Sequence, residues 1–188
     1  LQPIQKLHDT QSQRDRRGIA IDRVGVRDLR YPIQVRDKAR KLAIMRDSRI
    51  GSYGTLALIF VLGLRVQAIA VVAGQGSAVW GLIAIEAASR AVLPLVLRVM
   101  PAARGDGLGH SAAQVSWGRV AIALALGLAS LVLIGGMTAV WVGATIALVV
   151  SAIAGLALRH IGGQTGDVLG AMQALSACAA WIVLSAAV

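Results

Sequence analysis

Two apolar runs near the end of the chain decide its fold: residues 137–158 read MTAVWVGATIALVVSAIAGLAL and residues 168–188 read VLGAMQALSACAAWIVLSAAV. Neither run contains a charged residue. A helix needs about 20 mostly apolar residues to cross the hydrocarbon core of a bilayer, and both runs reach that length. The pair therefore predicts two membrane-spanning helices joined by a short polar stretch.

The composition of the whole chain agrees with a membrane environment. Of its 188 residues, 56% are hydrophobic but only 4% are aromatic, and the mean hydropathy is +0.69. This balance is typical of helical membrane proteins. We predict an all-α polytopic protein with about five transmembrane helices, placed roughly at 53–73, 79–99, 119–135, 138–158 and 168–187. A soluble fold is disfavoured because no amphipathic helix is available to cover these segments.

Charged and uncharged connections alternate between the predicted spans. The connections near 74–78 and 135–138 carry no charge, whereas 98–119 and 159–167 contain arginine, histidine and aspartate. Positive charge near the ends of spans favours the cytoplasmic side. We therefore expect the N-terminal segment and both charged loops to lie on the cytoplasmic face.

The first 51 residues differ from the rest of the chain. They hold thirteen of the nineteen lysines and arginines and six of the nine carboxylates, a net charge of +7. We predict an irregular basic arm over 1–33, a cytoplasmic amphipathic segment over 34–51 and a transmembrane domain over 52–188. The arm is expected to be attracted to anionic lipid rather than to nucleic acid, because it contains one aromatic residue and no recognisable binding module. It lacks the apolar core of a secretory signal peptide.

Ionisable residues inside the predicted spans indicate either a pocket or a structural ion pair. Glu86 and Arg90 are four residues apart and can pair on one helical face, and Pro94 can bend the same span. Both interpretations of the pair remain open. Arg65 is expected to extend towards the outer interface, and Cys178 to act as a small packing residue.

The polar stretch between the two apolar runs, IGGQTGDVLGA at 161–171, has features of a phosphate site. Glycines let the backbone approach a bound group, and Thr165 or Asp167 can cap the following helix, whose start favours anions. A carboxylate beside a phosphate suggests a bridging Mg²⁺. The alternative is that Asp167 only complements the helix dipole and the glycines form a tight turn.

The familiar motifs of soluble enzymes are absent: there is no P-loop, HExxH, CxxC or GxSxG. Three stretches together resemble the cobalamin synthase family, the adenosylcobinamide-GDP ribazoletransferases. They are AIMRDSRIGSYGTLAL at 43–58, SRAVLPLVLRVMPAARGDGLG at 89–109 and GGQTGDVLGA at 162–171. The resemblance extends from about Arg36 to the end of the chain.

The resemblance implies a multi-pass protein of the bacterial inner membrane with its active-site loops in the cytoplasm. Such an enzyme joins adenosylcobinamide-GDP to α-ribazole or its phosphate, giving adenosylcobalamin or its phosphate and GMP, with Mg²⁺. It implies Asp167 and Asp47 as catalytic metal ligands. The implied substrate-binding residues are Arg46, Ser48, Arg49, Arg90, Arg104, Gly162, Gly163, Thr165 and Gly166.

One departure from the family pattern concerns the leading arm. Family members usually carry an acidic HLDGLAD-like motif shortly before the MRDSRIG stretch, and nothing similar stands in residues 1–32. We therefore expect an incomplete or frame-shifted member whose arm is out-of-frame or unrelated sequence. The alternatives are an inactive fragment of the family, a CDP-alcohol phosphotransferase, or a small transporter or scaffold that uses the Glu86 and Arg90 pair.

Overall fold

The computed structural model describes residues 40–42, 44, 51–103 and 115–188. The chain divides into two compact units, Leu1–Asp47 and Ser48–Val188. In the first unit, residues 40–42 and 44 are helical. They fall inside the predicted 34–51 segment, whose position along a membrane surface stays a prediction. The rest of the fold concerns the second unit.

The second unit is all-α over the residues described, as predicted. Its helices are α1 (Ser52–Gly74), α2 (Ala78–Ala91), α3 (Leu93–Val99), α4 (Trp117–Leu131), α5 (Gly136–Ile161) and α6 (Gly166–Ala186). The predicted spans at 53–73, 138–158 and 168–187 correspond to α1, α5 and α6. Strand-like pairing within the described segments is limited to one isolated parallel bridge, between Ala102 and Gln164.

Within the described residues, three helices are long and apolar enough to cross a bilayer: α1, α5 and α6, with 23, 26 and 21 residues. At 1.5 Å per residue they extend about 30 to 40 Å, which matches or exceeds the hydrocarbon thickness. Helix α4 is apolar but has only 15 residues. The molecule is thus an all-α membrane protein, and a total of five spans stays a prediction.

The predicted span at 79–99 is broken into two helices rather than continuous. Helix α2 ends at Ala91 and α3 begins at Leu93, with Pro94 in the first turn of α3. Proline has no backbone N–H and cannot donate to the carbonyl of Arg90 four residues earlier. The Val92 N–H donates to that carbonyl instead. The sequence led us to expect a bend at Pro94 within one span, and the structure shows a break between two helices at this position.

Helix α6 is the centre of the packing, contacting α5 most extensively and also α1 and α2. Trp181 and Met172 of α6 are fully buried, as is Ile85 of α2. Small residues let these helices come close, because a Cβ on Gly81 of α2 would lie 2.8 Å from Leu184 of α6. Cys178 is buried here and free of disulfide bonds, in agreement with the expected packing role.

The outer surfaces of α1 and α5 are apolar, and most of their side chains are exposed in the described chain. Exposed leucine, isoleucine, valine and phenylalanine cover α1 almost all round. Such a surface is stable only in contact with lipid or with other apolar helices. The described part of the bundle therefore presents a lipid-facing exterior and concentrates its polar groups at one end and in one partly buried cluster between helices.

Candidate functional site

The loop between α5 and α6 begins with a left-handed turn at Gly162. Its φ is 74°, and its N–H donates to the carbonyl of Ala157 at 3.0 Å, which closes the last turn of α5. This conformation suits glycine because a Cβ would be strained there. The alternative interpretation of this stretch expected the glycines to form a tight turn. Gly162 forms such a turn.

Gly163 brings the loop against the segment that follows α3. The Gln164 N–H donates to the Pro101 carbonyl at 2.8 Å, and the Ala103 N–H donates to the Gln164 carbonyl at 2.9 Å. A Cβ on Gly163 would lie 2.3 Å from the Pro101 oxygen. The close approach expected at this glycine is thus made by the protein's own backbone; contact with a substrate at Gly163 stays a prediction.

These bonds join the two charged loops of the sequence at one end of the bundle. Residues 101–103 follow the stretch 89–99, and residues 162–165 precede α6, so segments about 60 positions apart become neighbours. The alternation of charged and bare connections led us to expect these loops on one face, and the Ala102–Gln164 bridge places them together. Which side of the membrane this end faces stays a prediction.

Thr165 caps the start of α6. It is one of the two residues, with Asp167, that the sequence offered as the cap. Its backbone is extended, and its Oγ1 accepts the N–H of Val168 at 3.3 Å. Asp167 lies in the first turn of α6 and is exposed, as is Gly166. A carboxylate in this position interacts favourably with the positive end of the helix dipole. Its oxygens also remain accessible to a cation in solution.

Basic and aromatic groups stand at the same end of the bundle. The Arg98 guanidinium of α3 lies over the Trp117 ring of α4, 5.2 Å from its centroid. Arg159 and His160 are exposed in the last turn of α5. Trp117 was not a candidate from the sequence, although a tryptophan at the start of a span, at the water interface, is a recognisable signal.

A second polar cluster lies between α1, α2 and α6, with Glu86, Arg65 and Gln173 half-buried and Arg90 exposed. Glu86 accepts from Arg90 four residues later, so the predicted pairing is confirmed. Arg65 also donates to Glu86 and does not extend to the outer interface, so that prediction was wrong. A bond to a carboxylate within reach on the next helix compensates its charge better than lipid contact would. Gln173 of α6 completes the cluster by donating to Glu86 Oε2 at 3.3 Å.

The remaining candidates lie outside the described residues. They are Arg46, Asp47, Ser48, Arg49 and Arg104. Among residues 40–42, 44, 51–103 and 115–188, no group of three or more histidine, cysteine or acidic side chains is close enough to hold a metal ion. The carboxylates in those ranges are Glu86 and Asp167, and they belong to different sites. The structure therefore places Asp167 directly after the 162–166 turn, whose Gln164 bonds to the 101–103 segment, but leaves its pairing with Asp47 untested.

The fold and these two polar sites define a polytopic helical membrane protein with a polar site at one end of its bundle and a partly buried ionic cluster between its helices. The family model described as cobalamin-5-phosphate synthase matches residues 32–185. That match covers most of the chain, which therefore belongs to the cobalamin-5-phosphate synthase family.

Several curated relatives are similar to the chain. An adenosylcobinamide-GDP ribazoletransferase of Mesorhizobium japonicum is 40% identical over 152 residues, covering 81% of this chain and 59% of the relative. The protein of the same name from Bradyrhizobium diazoefficiens is 45% identical, with 73% and 54% covered. One from Brucella canis is 41% identical, with 77% and 59% covered. The chain thus spans between half and three fifths of the length of these relatives.

A second family model matches the beginning of the chain. It is described as type I GTP cyclohydrolase folE2 and covers residues 7–51. It overlaps the first match over 32–51, while residues 7–31 match the cyclohydrolase model alone. No solved structure matches the chain.

Proposed function

We propose that the protein acts as an adenosylcobinamide-GDP ribazoletransferase in the bacterial inner membrane, with its polar loops in the cytoplasm. The relatives that carry this name support the proposal. The observation on which it rests is the Ala102–Gln164 bridge, because it joins two of the three stretches that resemble the family. A site built from both stretches requires this contact.

The reaction needs little covalent chemistry from the protein. The ribose hydroxyl oxygen of α-ribazole, or of its phosphate, forms a bond to the cobinamide-side phosphorus of adenosylcobinamide-GDP. The bond from that phosphorus to the GMP oxygen breaks, and the hydroxyl proton is released to water. The catalytic demand is to align the two substrates and to stabilise charge on the diphosphate.

The residues at the polar end suit that demand. The first N–H groups of α6 and the cationic groups of Arg98 and Arg159 favour an anionic substrate at this end, where the His160 ring is also exposed. The capping bond from Thr165 fixes where the helix begins, and the backbone bridge fixes the loop beside it. Arg46, Ser48, Arg49 and Arg104 are proposed to contribute further substrate contacts.

Mg²⁺ is proposed as the cofactor, and the available donors fit it. Mg²⁺ usually binds through one or two carboxylates together with substrate phosphates and water. Asp167 is an exposed carboxylate at the polar end, whereas both oxygens of Glu86 are taken by Arg65, Arg90 and Gln173. Asp167 is the proposed ligand among the described residues, and Asp47 stays a ligand implied by the family resemblance. The ion would supply charge neutralisation for the diphosphate and the departing GMP.

The leading arm is proposed to be unrelated to the transferase. The acidic motif usual in the family is absent from residues 1–32. Of the two origins expected for the arm, out-of-frame or unrelated sequence, the cyclohydrolase match over 7–51 supports unrelated sequence. In this interpretation residues 7–31 contribute nothing to transfer. The transporter alternative gains no support from the relatives, and Glu86 is already bonded on both oxygens.

The proposal is tested by substitution at Asp167. Membranes containing the full chain are incubated with adenosylcobinamide-GDP, α-ribazole and Mg²⁺, and product is measured by mass spectrometry. Asp167→Asn removes the charge that would hold the ion, so we expect conversion to fall at least about 100-fold. The control is Ser185→Ala, which changes an exposed hydroxyl at the opposite end of α6. Equal conversion by wild type and Asp167→Asn would refute the role of Asp167.

A further inference from the structure

An apolar groove opens between α4 and α5. It encloses about 660 Å³, and the described residues that line it are all alanine, glycine, valine or leucine. A smaller cavity of about 240 Å³, lined by the same kinds of residue and one isoleucine, adjoins it. The two share Leu128, Leu131, Gly143 and Ala147. These side chains form no hydrogen bonds, so the groove suits a hydrocarbon chain and not a nucleotide or a sugar.

The smaller cavity extends to the seam between α3 and α4. Leu95 of α3 and Leu124 of α4 both line it. Arg98 follows Leu95 by three residues, and Trp117 precedes Leu124 by seven. Each of them therefore lies on the same helical face as its leucine, closer to the polar end of the bundle. The seam leads from the apolar groove to this polar pair.

Arg98 and Trp117 form the polar end of the seam. The guanidinium lies 5.2 Å from the centroid of the indole ring, and both side chains are exposed. Stacking on an aromatic face holds a guanidinium in place and leaves its in-plane N–H donors for an acceptor. The salt bridges within residues 51–103 and 115–188 both involve Glu86, and neither includes Arg98. No carboxylate of those residues thus compensates the charge of Arg98.

A positive charge at one end and a hydrocarbon groove behind it match two parts of a single molecule. An anionic phospholipid has phosphate oxygens that accept from a guanidinium, and acyl chains that need an apolar surface. A free phosphate would use the charged part alone, and an apolar helix of a second copy would use the groove alone. The charge complementarity at Arg98 therefore favours a phospholipid as the occupant.

We propose that the Arg98–Trp117 pair and the groove between α4 and α5 together bind one anionic phospholipid. Its phosphate lies against Arg98 and Trp117, and one acyl chain follows the seam past Leu95 and Leu124 into the groove. The site involves neither Asp167 nor the cluster around Glu86. It does not rest on the proposed transfer reaction, and Arg98 adds to the positive charge of the polar end in either case.

The first test compares lipids on the wild-type chain and needs no variant. The full chain in dodecyl maltoside is titrated with dioleoyl phosphatidylglycerol or dioleoyl phosphatidylcholine, and native mass spectrometry counts the lipids retained. We expect one phosphatidylglycerol per chain, bound about 5-fold more tightly than phosphatidylcholine because of its net negative charge. Dihexanoyl phosphatidylglycerol, whose chains are too short to fill the groove, should bind at least about 10-fold more weakly than the dioleoyl form.

A second test separates a headgroup site from general attraction to the basic end. Arg98→Gln removes the guanidinium that contacts the phosphate, so the Kd for dioleoyl phosphatidylglycerol should rise at least about 10-fold. The matched control is Arg119→Gln. Arg119 is also exposed and lies in the first turn of α4, but its position two residues from Trp117 places it on another helical face. Loss of its charge should raise the Kd by about 5-fold at most.

A third test fills the groove without changing any charge. Ala147→Phe places a ring where both cavities meet. We expect it to weaken binding of dioleoyl phosphatidylglycerol at least about 10-fold and to leave the dihexanoyl form unaffected. Leu148→Phe, at the neighbouring exposed position outside the lining, should bind like the wild type. Circular dichroism checks that each variant keeps its helix content.

Several results would overturn the site. One is equal retention of phosphatidylglycerol and phosphatidylcholine by the wild type. Equal losses in Arg98→Gln and Arg119→Gln would show general attraction, and unchanged binding in Ala147→Phe would remove the groove from the site. A lipid-free dimer would assign the groove to a second copy. Asp167→Asn should bind phosphatidylglycerol like the wild type, so failure of the transferase proposal would leave this site standing.

Discussion

Replacing Gly163 by alanine tests the contact that joins the two polar segments. The new Cβ would lie 2.3 Å from the Pro101 oxygen and 2.9 Å from the Ala103 nitrogen, where ordinary contact begins near 3.4 Å. The segments must separate by about 1 Å, which is enough to break both hydrogen bonds of the bridge. Two lost bonds at about 1 kcal/mol each, plus packing strain, give a destabilisation of about 2–3 kcal/mol at this site.

Hydrogen–deuterium exchange of the backbone amides of Ala103 and Gln164 measures this loss directly. A local cost of about 2 kcal/mol corresponds to exchange roughly 30-fold faster. The matched control is Gly170→Ala in α6, where a Cβ would meet nothing within 4 Å. We expect the control to exchange like the wild type. Unchanged exchange of both amides in Gly163→Ala would refute the bridge as the element that joins the segments.

Two further substitutions test how the helices begin and pack. Thr165→Ala removes the Oγ1 that accepts the Val168 N–H, so the free energy of unfolding in a denaturant titration should fall by about 1 kcal/mol, whereas Thr165→Ser should retain most of it. An equal loss in both variants would argue against a capping role. Gly127→Ala would place a Cβ 2.4 Å from that of Ala91 and should separate α4 from α2, lowering the thermal stability by about 1–3 kcal/mol. Gly118→Ala, in the same helix but with nothing within 4 Å, should be neutral or slightly stabilising, and a similar loss at both positions would contradict the packing.

The sequence was sufficient to predict the long helices and the local contacts. Long apolar runs located α1, α5 and α6 to within three residues at either end, because a bilayer imposes a length on such runs. The pairing of Glu86 with Arg90 followed from a four-residue spacing on one helix. Residue type and position predicted a cap at Thr165 or Asp167, and the structure shows that Thr165 is the cap.

Contacts between helices could not be predicted in the same way. The partnership of Arg65 and Gln173 with Glu86 joins three helices, and no local pattern indicates which faces of α1 and α6 turn towards α2. The close packing of the Pro101 carbonyl against Gly163 also depends on a segment that is distant in sequence. The glycine predicted a close approach correctly, but the approaching group was decided by tertiary structure.

The measurement that tests the central claim most directly is release of GMP by this chain. Membranes that contain the chain, and membranes that contain the Mesorhizobium japonicum relative as a positive control, are supplied with adenosylcobinamide-GDP, α-ribazole and Mg²⁺. We expect this chain to yield GMP and adenosylcobalamin in equal amounts, and EDTA to abolish both. No product from this chain, in membranes where the relative is active, would contradict the proposed transferase and favour an inactive member of the family.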